Sequence, residues 1–100
     1  MAAYNKLVRD KVPAKLDAQG IPYEKRVASD EEYRIELINK LLEEAQEFQE
    51  AGAIEELADV LEVIGALQKL PEYARVVYIQ KEKRERMGGF GERFILKGEK

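Results

Sequence analysis

The order of apolar and polar positions divides the chain into helical blocks. After Ser29, apolar residues recur at Ile35, Ile38, Leu41, Leu42, Ala45 and Phe48, a helical period held over about four turns. Ser29-Asp30-Glu31-Glu32 opens this block as a capping box, with the serine oxygen accepting from the backbone and Glu32 reaching back to the serine N–H. Gly52 breaks the pattern. A second block, from about Ala53 to Leu70, is rich in Leu, Val, Ile and Ala, and Pro71 stops it. Proline also suits a first helical turn, so a third helix is predicted from roughly Pro71 to Met87, ended by Gly88-Gly89.

The flanks are less regular. Asn5 to Ala18 holds a basic opening, Lys6-Leu7-Val8-Arg9-Asp10-Lys11, followed by a short helical pattern with Pro13 in its first turn and Gly20 as its stop. Tyr23 to Ala28 alternates weakly and reads as a short strand, and Phe90 to Lys97 as an extended tail or a strand able to pair with it. The short connection at Gly52 predicts that the two central helices pack as an antiparallel hairpin. The expectation is an all-α helical bundle built on that hairpin, with short extended terminal segments, as one domain over residues 1–100.

Length and composition narrow the function. A chain of 100 residues buries only about two-thirds of its unfolded surface, so its core is modest and self-association is expected. A net charge of −3 argues against a nucleic-acid polymer as partner, though not against a nucleotide, which needs only a local basic cluster. Cysteine and histidine are both absent, which removes thiolate chemistry, imidazole zinc sites and the usual general base of hydrolases. No apolar run approaches the ~18–20 residues of a membrane span, and the N-terminus lacks a signal-like apolar stretch. The expected location is cytoplasmic, with no membrane partner.

Carboxylates are the chemistry that remains. Residues three apart on a helix stand ~60° apart, one turn over another, so Glu44 stacks on Glu47 and Glu56 on Asp59. Such pairs repel unless water or a cation offsets the charge. On the second helix Leu57, Val60, Val63, Ile64 and Leu67 define an apolar arc, with Glu56 inside it and Asp59 at its edge. An ionised carboxylate in an apolar setting needs a cation or a proton. Glu44 borders the stripe beside Leu37; Glu47 points farther out, where a solvated glutamate is the plain alternative. The hairpin brings the end of one helix to the start of the next, so four carboxylates can converge. All-oxygen donors suit Mg2+, with Mn2+ as an alternative, and Mg2+ shares its shell with substrate phosphates. A glutamate must then serve as base for the attacking water, and Glu43 and Glu47 both qualify.

Basic residues capable of meeting phosphate oxygens are Lys6, Arg9 and Lys11 at the start and Lys83, Arg84 and Arg86 in the third helix. Lys83 and Arg86 also read as a solvated face near a helix C-terminus, where cations favour the dipole. Tyr4, Tyr23 and Phe90 can stack on a base and serve equally well as core.

Four segments taken together carry a resemblance: Asn5-Lys-Leu-Val-Arg-Asp-Lys-Val-Pro13, Leu42-Glu-Glu-Ala-Gln-Glu47, Glu55-Glu-Leu-Ala-Asp-Val-Leu-Glu62 and Gly88-Gly-Phe90. In this order, and over nearly the whole chain, they resemble the MazG-like all-α nucleoside triphosphate pyrophosphatases, in particular the phosphoribosyl-ATP pyrophosphohydrolase-like branch. The resemblance implies an all-α fold, a homodimer or homotetramer, and Mg2+ held by Glu44, Glu47, Glu56 and Asp59. It implies hydrolysis of a nucleoside triphosphate to the monophosphate and pyrophosphate, and places Lys83 where similar chains have a basic residue ahead of the glycine pair, with Arg86 as a further contact; with Lys6 and Arg9 from the basic opening, these are the expected phosphate contacts. Non-standard triphosphates in a house-cleaning role are one expected substrate class, and phosphoribosyl-ATP is the alternative. A non-catalytic helical binding module is the alternative of a different kind. The chain departs from the pattern at Met87, where similar chains often carry arginine before the glycine pair.

Overall fold

The computed structural model describes residues 5–99 and is all-helical, with no strand among them. Its elements are α1 (Val12–Ala18), α2 (Asp30–Ala51), α3 (Ile54–Gln68), a 3-10 turn (Pro71–Tyr73) and α4 (Val76–Met87). α2 starts where Ser29 caps it: the serine hydroxyl oxygen accepts from the Glu32 N–H at 3.2 Å. The Glu32 carboxylate reaches back to the Ser29 backbone, the other arm of the expected capping box, and also takes a forked hydrogen bond from the Arg26 guanidinium, at 2.5 and 2.7 Å. Arg26, in the presumed strand, therefore anchors the approach to α2. Asp30, Glu31 and Glu32 fill the first turn, where negative charge complements the helix dipole.

α2 ends at Gly52, whose left-handed φ of 63° lets its N–H donate to the Phe48 carbonyl at 2.7 Å. A residue with a Cβ would adopt that conformation only with strain. α3 begins two residues later, and the α2–α3 hairpin is the main packed unit. Its seam buries Leu37 and Val63, together with the polar Glu44.

Two expectations are corrected, and for the tail the strand alternative falls away. The Tyr23–Ala28 segment forms no strand, because the alternation that suggested it meets no pairing partner. Phe90 to Lys97 likewise pairs with nothing; a turn holds its start, with the Arg93 N–H donating to the Phe90 carbonyl. The third helix does not run unbroken from Pro71. The chain first makes the 3-10 turn, whose bonds are Tyr73 N–H to Leu70 and Ala74 N–H to Pro71, and α4 starts only at Val76. α4 then leaves the hairpin without packing broadly on it. The molecule measures 55 × 32 × 23 Å with a radius of gyration of 17.9 Å, against about 13 Å for a compact chain of this length. No helix among the described residues is long and apolar enough to cross a membrane.

Candidate metal centre

Leu37 and Glu44 lie seven residues apart on α2, two helical turns, and so share the line that faces α3. That alignment takes Glu44 into the seam, where it is 8% exposed. Glu56 and Asp59 come from the first half of α3 and are half-buried. One carboxylate oxygen from each of Glu44, Glu56 and Asp59 lies within 4.8 Å of the other two. The hairpin thus assembles three of the four expected ligands at one point. Glu47 is exposed and lies outside the triad, but its carboxylate adjoins Glu44 closely enough to perturb it.

Glu44 is the residue that the helical wheel undervalued. Glu56 was the more suspicious on α3, yet Glu44 is the one enclosed. Its Oε2 is buried with no hydrogen-bond partner, and Lys40 approaches its other oxygen only to 3.8 Å. A buried carboxylate oxygen left unsatisfied costs free energy. Burial first, then the Glu47 carboxylate and then Asp59, push the Glu44 pKa above its ordinary 4.5, while Lys40 pulls the other way. Three clustered carboxylates with an orphaned inward oxygen fit a hard divalent cation, which would take oxygen donors and cancel the repulsion.

The basic opening lies across this centre. Arg9 pairs with Asp59 at 2.6 Å, and Lys6 with Glu43 at 3.3 Å. Lys40, on α2, comes within 3.7 Å of Glu43. Sequence reasoning passed over Lys40, although its i,i+3 and i,i+4 spacing to Glu43 and Glu44 was a readable signal. The same segment and α1 roof a cleft of about 520 Å³ that Arg9, Lys11, Lys40, Glu44, Asp59 and Glu62 line together with apolar Leu37 and Val63. That volume suits a small-molecule ligand.

The other predicted contacts are not gathered here. Lys83 and Arg86 sit on α4, which contributes no residue to the cleft. Of the stacking candidates, Tyr23 stands clear of the cleft and Phe90 is 98% exposed. Tyr4 lies outside the described residues. The cleft's own aromatic is Tyr33.

No family model, curated protein or solved structure matches this chain.

Glu44 sets the sign of one pH effect. Its folded pKa is raised, so the stabilisation from its protonated form is full below the unfolded carboxylate pKa and is lost as pH rises through the folded value. Glu32 works in the opposite direction: hydrogen bonding to Arg26 holds it below the ordinary range, and its contribution is lost as pH falls. In metal-free buffer Glu44→Gln removes the first effect alone. Urea midpoints from mildly acidic to neutral pH should show the variant gaining on the parent as pH rises. A constant difference across that range would mean that Glu44 ionises freely.

Proposed function

We propose that the chain is a Mg2+-dependent nucleoside triphosphate pyrophosphohydrolase of MazG-like type, converting a triphosphate to the monophosphate and pyrophosphate. The observation that carries this reading is the buried Glu44 carboxylate, its Oε2 unpartnered, clustered with Glu56 and Asp59 beside a cleft rimmed with lysine and arginine. Acidic residues to hold the ion and basic residues to hold the phosphates are the two halves that phosphate chemistry requires.

In this reading Glu44, Glu56 and Asp59 hold the cation, and Glu47 joins them from the rim. When bound, Mg2+ supplies charge that polarises the phosphoryl oxygens. Arg9 and Lys6 bind the triphosphate; both lie beside the cluster and are now paired with Asp59 and Glu43. Of the two candidate bases, Glu47 is the better placed. Glu43 is engaged by Lys6 and Lys40, whereas Glu47 carries no ion pair among the described residues. The base takes a proton from water as the water oxygen bonds to the α-phosphorus, the bond from that phosphorus to the α–β bridging oxygen breaks, and pyrophosphate leaves. The resemblance also makes the working form a homodimer or homotetramer, and a cytoplasmic setting supplies the triphosphates.

Two measurements test the reading. With Mg2+ present, a panel of standard and modified triphosphates should include one that yields monophosphate and pyrophosphate. Separately, Mg2+ or Mn2+ should raise the thermal unfolding midpoint, because a ligand that binds only the folded state stabilises it, by about 2.7 kcal/mol at a hundredfold excess over Kd. An unmoved midpoint at millimolar metal would favour the non-catalytic binding module.

A further inference from the structure

The basic opening is fastened to the hairpin by charge more than by burial. Residues 5–18 run across the cleft, and Leu7, Val8 and Val12 line it, yet no residue of this segment is buried. α1 packs only lightly on its neighbours. Two ion pairs tie the segment down: Arg9 to Asp59 on α3 at 2.6 Å, and Lys6 to Glu43 on α2 at 3.3 Å. Both pairs are open to water, with side-chain exposures between 38% and 59%. Ion pairs so exposed are weak and break easily.

The carboxylate that Arg9 holds is not a spare one. Asp59 is a member of the triad whose oxygens lie within 4.8 Å of one another. Glu44, in the same triad, is 8% exposed and keeps one oxygen without a hydrogen bond. Lys40 comes no closer to Glu44 than 3.8 Å, and Glu56 has no ion pair among the described residues. The chain's own cations therefore offset the charge of the cluster only in part. A divalent cation and a guanidinium on one carboxylate repel each other. Each then weakens the binding of the other, by the same factor in both directions.

We propose that Arg9 is a latch. While it holds Asp59, residues 5–18 stay closed over the cleft. When a divalent cation binds at Glu44, Glu56 and Asp59, Arg9 gives up its carboxylate and the segment lifts. The guanidinium then stands at the mouth of the cleft with its fork of N–H donors turned to an incoming phosphate. The latch rests on the metal reading of the cluster and adds an order to it: cation first, anion second. The basic opening is thus a counter-ion that the chain carries for its own acidic centre.

Two measurements, neither of them turnover, test the latch. Calorimetric Mg2+ titrations compare the parent with Arg9→Ala and with Lys11→Ala. The second variant removes the same charge from a cleft residue that has no ion pair among the described residues. Arg9→Ala is expected to bind Mg2+ ~2–5-fold more tightly than the parent, the range that one competing exposed ion pair carries, and more tightly than Lys11→Ala. An arginine with a structural role alone would weaken Mg2+ binding when removed.

Limited trypsin digestion reads the opening itself. Mg2+ should speed cleavage of the parent after Lys11 and Lys15 while slowing cleavage after Arg34 and Lys40 inside α2, because the bound ion stabilises the hairpin as the segment lifts. In Arg9→Ala, cleavage after Lys11 and Lys15 should be fast with or without Mg2+. Equal or weaker Mg2+ binding by Arg9→Ala, or a gain that Lys11→Ala matches, overturns the latch and leaves the metal centre standing. So does Mg2+ that slows cleavage after Lys11. Parent and Arg9→Ala both failing to bind Mg2+ would overturn the latch and the metal reading together.

Discussion

Glu56→Gln is expected to abolish metal-dependent pyrophosphohydrolysis while leaving the metal-free fold intact. The substitution keeps the shape of the side chain and removes one of the three charges that lie within 4.8 Å of one another. Losing an outer partner of a metal ligand typically costs 10–100-fold, so losing a ligand should cost at least ~100-fold in turnover. Without metal, the variant should be no less stable than the parent, because a mutual repulsion has been relieved. Glu56 is a cleaner choice than Asp59, whose carboxylate also holds Arg9. Asp59→Asn would loosen the N-terminal segment as well and blur the result. The measurement is pyrophosphate release at saturating Mg2+, paired with the thermal midpoint with and without the ion. Parental turnover in Glu56→Gln would remove the triad from the mechanism. A normal metal-induced midpoint shift with lost turnover would move Glu56 from ligand to catalytic group.

Much of this arrangement was legible because local signals were strong. Ser29 and Gly52 each solve a backbone problem that few residue types solve, so α2 could be bounded from the sequence alone. The spacing of Glu44, Glu56 and Asp59 carried through because a two-residue connection leaves the hairpin little freedom. What escaped was decided between elements. A helical wheel shows which residues share a face but not which face meets the neighbour. α3 offers two apolar faces, so the wheel placed Leu57 in the core arc, where the structure leaves it exposed. For the same reason the enclosure of Glu44 was understated. It follows from the α2 line through Leu37 being the seam, a tertiary choice. The presumed strands failed because a strand is defined by a partner, and neither Tyr23–Ala28 nor the tail finds one within the chain. Lys83 and Arg86 read as phosphate contacts from their order in the sequence, yet the turn at Pro71–Tyr73 carries α4 away from the cleft.

Leu37→Ala should be the most destabilising single truncation in the hairpin. Leu37 is 4% exposed, the most enclosed apolar residue described, and Val63, at 8%, is the one other buried apolar residue among those described. Truncating a buried leucine to alanine costs about 2–5 kcal/mol, the larger values where the cavity cannot collapse. A small domain has only about 5–15 kcal/mol to lose, and a chain this extended should sit near the lower end of that range. The residue also lines the cleft, so its loss would loosen the wall beside Glu44 and weaken metal-induced stabilisation. Urea unfolding followed at several protein concentrations separates this effect from association. Leu37→Ala should lower the midpoint at every concentration, because the lost contacts lie within one hairpin. Leu57→Ala, on the exposed side of α3, should cost much less at every concentration, because the residue is already 42% exposed. A cost below ~1 kcal/mol for Leu37→Ala, the ordinary effect of an unremarkable substitution, would mean that the α2–α3 seam is not the core on which the acidic cluster is built.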